Sequence, residues 1–284
     1  MGKIINIIEL SKIVSDKSTS LEFLCKKFNC ANSVCCPKCN SEKYYLMSRG
    51  NLRCSKCKTN YKPFSDTQFN KINIDYSKWL VLIKLFDLGI SARRAAREVN
   101  VSYPTALYSF DTMRFSILDE QSKTDDVLKG QIEAVEAYFG GKRKGNRGRG
   151  ARNKTIVFGI LERNGKVHVE IVKNVKAKTL LTSTIKKVKK GSIVYTDKWR
   201  GYNSLIFNGY KHLSVDHNKM FGKGDVYING IEGFWSFAKE NMAKHHGVSP
   251  GKFLLYIKEM EWRYNNRDED TFSLLLDYML GVNN

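Results

Sequence analysis

The sequence predicts an α/β protein, a mixed sheet with flanking helices in its carboxyl-terminal half, behind a small cysteine module and an all-helical segment. Three observations carry this expectation. Strand and helix signals alternate over residues 131–212. All seven cysteines fall between Cys25 and Cys57. From Tyr76, apolar residues recur at spacings of three and four, the period of a helix with one buried face. The chain has 284 residues, enough for about two domains and a sizeable core.

The opening segment has an apolar flavour through Ile4 and Ile5, but Glu9 and Lys12 interrupt it and no small-residue cleavage site follows. It reads as an amphipathic helix. Gly2 lacks a Ser or Thr at position six, which argues against myristoylation. No run of 18 apolar residues occurs, so no membrane span is expected. Composition points instead to a polyanion: 48 Lys+Arg against 28 Asp+Glu give a formal charge of +20, and each cation placed on a phosphate releases counterions.

Cys36-Pro-Lys-Cys39 and Cys54-Ser-Lys-Cys57 are two C-x2-C knuckles with 14 residues between them. Four thiolates on two tight turns can close a tetrahedron around Zn²⁺, with short strands around Tyr44–Leu46 and Leu52 to carry the turns. A redox C-x-x-C is the rival reading, but it expects one pair in a β-α-β setting. An odd number of cysteines in one stretch is unlike a disulfide scaffold and fits a reducing, intracellular compartment. Cys25, Cys30 and Cys35 are read as buried or free thiols.

The helical pattern through Trp79, Leu80, Ile83, Phe86 and Leu88 stops at Gly89. Ser91 then caps a helix through Val99, Asn100-Val101 makes a turn, and Ser102 caps a further helix, Tyr103–Phe115. Small Ala95 and Ala96 let helices approach, and Arg93, Arg94 and Arg97 supply DNA-facing charge, so a helix-turn-helix presented to a major groove is expected. Three helices packed without touching DNA would look the same in this stretch. Acidic residues Asp119, Glu120, Asp125 and Asp126 mark a linker.

Beyond it, Gln131–Tyr138, Lys154–Glu162 and Lys166–Val172 read as strands, Thr179–Val188 as a helix, and Ser192–Thr196 as a buried strand ending at Asp197. Three strands, a helix and a strand with an acidic tip follow the order of a ribonuclease-H-like fold. Between the first two strands, seven cations crowd the thirteen residues from Lys142 to Lys154: Lys142, Arg143, Lys144, Arg147, Arg149, Arg152 and Lys154. Interleaved glycines and mutual repulsion would keep such a loop open until phosphates neutralise it, unless it is only a solvated hairpin tip.

Glu232 opens a helix with Ile231, Phe234, Trp235, Phe237 and Ala238, and 34 residues separate it from Asp197. Lys239 lies two turns further on the same face, so it could meet a phosphate beside a metal held by Glu232. A solvent-exposed Glu and Lys on an amphipathic helix is the plainer alternative.

Four motifs in order then resemble the Merlin and related bacterial insertion-sequence DDE transposases: Glu133 with Glu136-Ala-Tyr-Phe-Gly-Gly, Tyr195-Thr-Asp197-Lys-Trp-Arg-Gly-Tyr202, Ile228-Asn-Gly-Ile-Glu232-Gly-Phe-Trp235 and Glu261-Trp-Arg-Tyr-Asn265. The resemblance covers about residues 30–270. It implies a ribonuclease-H-like domain in which three acids hold two Mg²⁺ or Mn²⁺ ions for DNA cleavage and strand transfer, with double-stranded DNA (terminal inverted repeats and target) as partner. It also implies a homo-oligomeric synaptic complex, in nucleoid-associated cytoplasm or in a nucleus according to host. On this resemblance Asp197 and Glu232 are the second and third acids and magnesium ligands, and Lys239 contacts DNA. Asn229 takes the acid position in some relatives.

The first acid departs from the pattern. The family strand reads acidic, apolar, Asp, Glu, whereas this chain has Glu133-Ala134-Val135-Glu136, placing Val135 where the aspartate belongs. Alternation puts Glu133 on the face of Val135 but one repeat back, and Glu136 on the opposite face. Glu136 is the fallback first acid, if a bulge before Gly140-Gly141 redirects it. A DNA-binding protein that has lost catalysis is the alternative function. The expected boundaries are 1–35 helical, 36–70 zinc ribbon, 71–117 helix-turn-helix, 118–130 linker and 131–284 ribonuclease-H-like transposase domain. Residues Phe64–Phe69 look atypical for the ribbon-to-helix junction.

Overall fold

Two helices begin the chain, α1 (Ile7–Ile13) and α2 (Lys17–Lys27), the first capped by Asn6, whose side chain accepts from Glu9 N at 2.9 Å. The structure is a computed structural model and describes residues 4–27, 35–47, 51–65, 67–140, 154–197, 208–215, 226–245 and 247–282. Next come three short antiparallel strands, β1 (Tyr44–Leu46), β2 (Leu52–Cys54) and β3 (Asn60–Tyr61), in that order. The expected junction segment forms a 3-10 turn, Gln68–Lys71, whose Phe69 joins Phe64, Tyr76 and Trp79 in one aromatic cluster.

Helices α3 (Tyr76–Asp87), α4 (Ala92–Val99) and α5 (Tyr103–Lys123) follow the sequence signals closely. Ser91 Oγ accepts from Arg94 N, Asn100 takes the left-handed φ of 52° at the turn, and Ser102 Oγ accepts from Thr105 N at 3.2 Å. Ala95 and Ala96 are buried, while Arg93, Arg94 and Arg97 remain exposed. The end of α5 corrects the sequence reading. The helix runs through Lys123, well past Phe115 and into the expected linker, because Asp119 and Glu120 pair with Lys123 one turn on and support the helix. Arg114 is buried against Asp111 and the Phe86 ring.

The carboxyl-terminal sheet is built from β4 (Gln131–Phe139), β5 (Thr155–Glu162), β6 (Val167–Val172), β7 (Ile193–Asp197) and β8 (Lys211–Val215). Its order is β6-β5-β4-β7-β8; β4, β5 and β6 are an antiparallel meander, and β7 and β8 run parallel to β4. Helix α6 (Ala177–Lys187) supplies the crossover from β6 to β7 and covers one face, where Leu180 meets Ile132, Ala134, Ile160 and Val194. Helices α7 (Asn229–Ala243) and α8 (Phe253–Asn265) cover the other, where Ile231, Phe234, Trp235 and Ile257 meet Ala137, Val157, Leu161 and Tyr195. This is the ribonuclease-H-like arrangement that the order of signals predicts. Strand β8 had no clear signal, its Lys-His-Leu-Ser-Val being mostly polar.

Gly159 explains how closely α7 lies on the sheet: a Cβ there would fall 2.4 Å from Trp235 Cζ2. At the opposite edge, α8 is stitched to strand β6. Asn265 Oδ1 accepts from Val167 N and its Nδ2 donates to Val167 O, both at 2.8 Å, so a side-chain amide pairs with the edge strand as another strand would. Glu261 accepts from Val169 N at 2.9 Å, which assigns the Glu-Trp-Arg-Tyr-Asn motif a structural duty.

The last helix, α9 (Thr271–Leu280), corrects the expected boundary of 131–284. The chain divides into units of 1–123 with 266–284, and 124–265, and α9 packs against α3 and α5. Its Phe272, Leu275, Leu276 and Met279 are fully buried there, and Lys27 pairs with Asp277 at 3.2 Å. No described helix is long and apolar enough to cross a membrane.

Candidate metal centres and catalytic carboxylates

The two cysteine knuckles fold as near copies. Asn40 N donates to Cys36 O at 2.8 Å and Lys58 N to Cys54 O at 3.1 Å, and Asn40 and Lys58 both take left-handed φ, 52° and 61°. Each turn thus directs its two sulfurs the same way. Cys36, Cys39, Cys54 and Cys57 gather with all four Sγ within 4.8 Å of one another; Cys36 and Cys57 stand 3.3 Å apart, Cys39 and Cys54 3.5 Å. A Zn–S bond of about 2.3 Å requires tetrahedral S–S edges near 3.8 Å, so the donors fit one zinc ion. The thiols are also tuned unequally. Thr59, whose hydroxyl lies 3.3 Å from Cys57 Sγ, brings that thiol down to about 6. The Ser41 backbone favours the Cys39 thiolate, yet burial and the neighbouring sulfurs outweigh it and push Cys39 up to about 12. A divalent cation removes that mutual repulsion. Cys25 and Cys35 are half-buried; Cys30 lies outside the described residues.

The carboxylates come from three separate elements. Asp197 is the last residue of β7 and is half-buried. The β4–β7 ladder pairs Gln131 with Ile193 and Glu133 with Tyr195; carried on by two residues, that register sets Val135 level with Asp197, on the face covered by α7. Val135 packs there against the apolar cluster that includes Ile231 and Trp235. Glu232 and Lys239 are exposed on α7, two turns apart on one flank as expected, at about 10 Å along the axis.

Neither neighbouring glutamate is brought beside Asp197 by the register. The bulge that would redirect Glu136 is not there: β4 and β5 pair without interruption from Ile132–Glu162 to Phe139–Thr155, and Glu136 stays opposite Phe158, one residue on from Val135 and therefore on the α6 face. Glu133 is fully buried and already engaged. Its Oε2 accepts from Ile231 N at 2.9 Å, capping α7, and its Oε1 accepts from Arg163 Nε at 3.0 Å. Gly230 makes room for this carboxylate, since a Cβ there would stand 2.9 Å from Glu133 Oε2. Arg163 is in turn held between the Tyr195 and Tyr227 rings, each centroid 3.9 Å from its guanidinium carbon, and donates to Tyr227 O.

Arg163 and Tyr227 escaped the sequence reading, because an isolated Arg in a turn and a Tyr before a helix carry no spacing signal. Among the described residues, the four cysteines are the one group of three or more Cys, His, Asp or Glu side chains close enough to share an ion. Asp197, Glu232 and Glu136 do not form a second. The cationic loop residues Lys142, Arg143, Lys144, Arg147, Arg149 and Arg152 lie outside the described residues, as does the Lys198–Tyr202 part of the aspartate motif.

Fold and site together define a ribonuclease-H-like domain in a chain that also carries a four-cysteine ribbon. Residues 127–265 match the family model for the ISXO2-like transposase domain. An uncharacterized transposase-like protein of Haemophilus influenzae is 43% identical over 103 residues, 36% of this chain and 84% of the relative. An uncharacterized protein in transposable element ISH50 of Halobacterium salinarum is 26% identical over 257 residues, 82% of this chain and 85% of that one. The chain belongs to the ISXO2-like, insertion-sequence-type DDE transposase family. Among solved structures, the Mos1 strand transfer complex aligns with a TM-score of 0.31 and 10% identity over 72% of this chain and 75% of that chain.

Proposed function

We propose that this chain is a DNA transposase that binds terminal inverted repeats through its ribbon and helix-turn-helix, and that Val135 impairs its metal-dependent cleavage and strand transfer. The observation that carries the reading is the position of Val135, level with Asp197 on the α7 face, with Glu133 spent on capping α7 and Glu136 turned to the other face. Two divalent ions bring four positive charges to a site where Asp197 and Glu232 supply two negative ones, so the residues present do not fit a complete two-ion centre. The four cysteines do fit a structural Zn²⁺, which would tie the two knuckles together and stiffen the short ribbon that carries them.

Arg93, Arg94 and Arg97, exposed on α4, support phosphate contact beside a groove-bound helix α5. Assembly of several copies on paired ends belongs to the same proposal. The valine also favours a second reading, a DNA-binding protein that has given up catalysis. Strand transfer of a pre-cleaved end with Mn²⁺, run on this chain and on Val135→Asp, separates them. We expect the substitution to raise the rate by about two orders of magnitude, the effect of several kcal/mol of charge stabilisation. Equal activity in both proteins would refute the role given to Val135, and no activity in either would favour the second reading.

A further inference from the structure

At the end of the sheet opposite Asp197, where the parallel strands β4 and β7 begin, an open cleft of about 650 Å³ is lined by Lys129, Arg163, Lys189 and Lys190. The strand β7 spans about 13 Å, so this cleft and the carboxylate end are distinct places on one sheet. Four cations here face one carboxylate, Glu162, whose Oε2 already accepts from Lys129 N at 3.2 Å. Lys129, Lys189 and Lys190 are exposed, and none of the three ammonium groups has an ion-pair partner among the described residues. Nearby acids are taken by other cations: Asp126 by Lys166, Asp125 by Lys187 and Glu133 by Arg163.

Two glycines, Gly130 and Gly191, lie among the lysines that line the cleft. Gly130 and Gly191 take φ of +79° and +86°, a region costly for residues with a Cβ, and nothing lies within 4 Å of where either Cβ would stand. At these two glycines no side chain of their own stands between the lysines and a polymer laid in the cleft. Unpaired lysines left side by side repel one another, and an arrangement of that kind is relieved by a polyanion.

We propose that this cleft is a second DNA-binding surface, which holds the phosphate backbone of a duplex without reading its sequence. The inference rests on the proposed DNA-binding function and extends it to the end of the sheet opposite Asp197. Lysines act on phosphates as mobile point charges, and the cleft offers no enclosed, convergent set of donors such as a free phosphate ion needs. Arg163 is committed to Glu133 and Tyr227, so it contributes charge more than contact.

The test is the slope of log K against log salt for the full chain binding two duplexes, an inverted-repeat end and an unrelated sequence. Replacing Lys129, Lys189 and Lys190 together with alanine should lower the slope by about two to three on both duplexes, since each phosphate contact contributes about 0.9. The triple arginine variant should keep it. Acetylation of the unmodified protein gives an independent reading: bound duplex should shield these three lysines, and inorganic phosphate at the same ionic strength should not. An unchanged slope in the alanine variant, with the three lysines acetylated equally with and without DNA, would overturn the inference while leaving the transposase reading in place. Protection by inorganic phosphate alone would overturn it too, in favour of a small-anion site. If the unmodified chain binds neither duplex, the proposed function itself fails, and the inference with it.

Discussion

Two kinds of metal-ligand set can be compared within this chain. The four cysteines converge to within 4.8 Å, while the proposed pair, Asp197 and Glu232, has no third acid close enough to share an ion among the described residues. The thiols come in two pairs, each on one tight turn, so local backbone geometry alone prepares half of the site. Asp197 sits on a strand end and Glu232 on a helix flank, so their placement depends on the sheet register and on how α7 is seated. A site assembled at long range can lose one member while its neighbours keep their places, because those neighbours have structural duties. Glu133 is the example here: its acidic character serves the helix that carries Glu232.

The largest expected effect sharpens the contrast from the cysteine side. A Cys36→Ser, Cys39→Ser variant should fall from one zinc per chain to none and lose the ribbon's folded structure, since structural zinc contributes on the order of 10 kcal/mol in small modules. Undiminished zinc by metal analysis would break the comparison. Next is Glu133→Gln, which removes the charge shared by Arg163 and the start of α7 and should cost roughly 3 kcal/mol in urea unfolding, the low end for breaking a buried pair. Unchanged stability would mean that Glu133 is spare and free to serve as a ligand.

Gly159→Ala tests how strictly α7 is seated. The added methyl meets the Trp235 ring, and a loss of about 1–3 kcal/mol is expected, with a change in tryptophan fluorescence. A neutral outcome would show that the helix can shift and with it Glu232. The smallest effect concerns the sheet edge, away from both ligand sets. Burial alone would raise the Glu261 carboxyl, but hydrogen bonding from His168 and the charge of Lys258 outweigh it and hold the group below its ordinary value of 4.5. A lowered folded-state value means the contribution is fully present above about pH 4.5 and is lost as pH falls through that lower value. Glu261→Gln should therefore flatten the acid limb of the Tm–pH profile relative to the unmodified chain; identical limbs would remove Glu261 from the account.

Much of this architecture is legible in the residues. The knuckle spacing, the Ser91 and Ser102 caps and the strands Gln131–Tyr138 and Lys154–Glu162 all depend on near neighbours, and the structure forms them within a residue or two. The misses share a cause. Asp119 and Glu120 resembled the start of a linker, yet their pairs with Lys123 one turn along lengthen α5. Residues 271–280 adjoin the sheet domain in sequence, but their apolar face is buried with α3 and α5. Strand β8 is polar and short, and its place beside β7 follows from backbone pairing, which composition does not encode.

For the site, the sequence by itself determined which candidate residues stand where: four cysteines in two knuckles, Asp197 at a strand tip, Glu232 at a helix start, and valine at 135. The tertiary structure decided what the two nearby glutamates do. Alternation along an unbroken β4 faces Glu136 away from Asp197, and the fit of Glu133 into the space left by Gly230 commits it to the α7 terminus. A side chain's duty depends on what its atoms meet across the fold, and a linear pattern specifies only which atoms are offered.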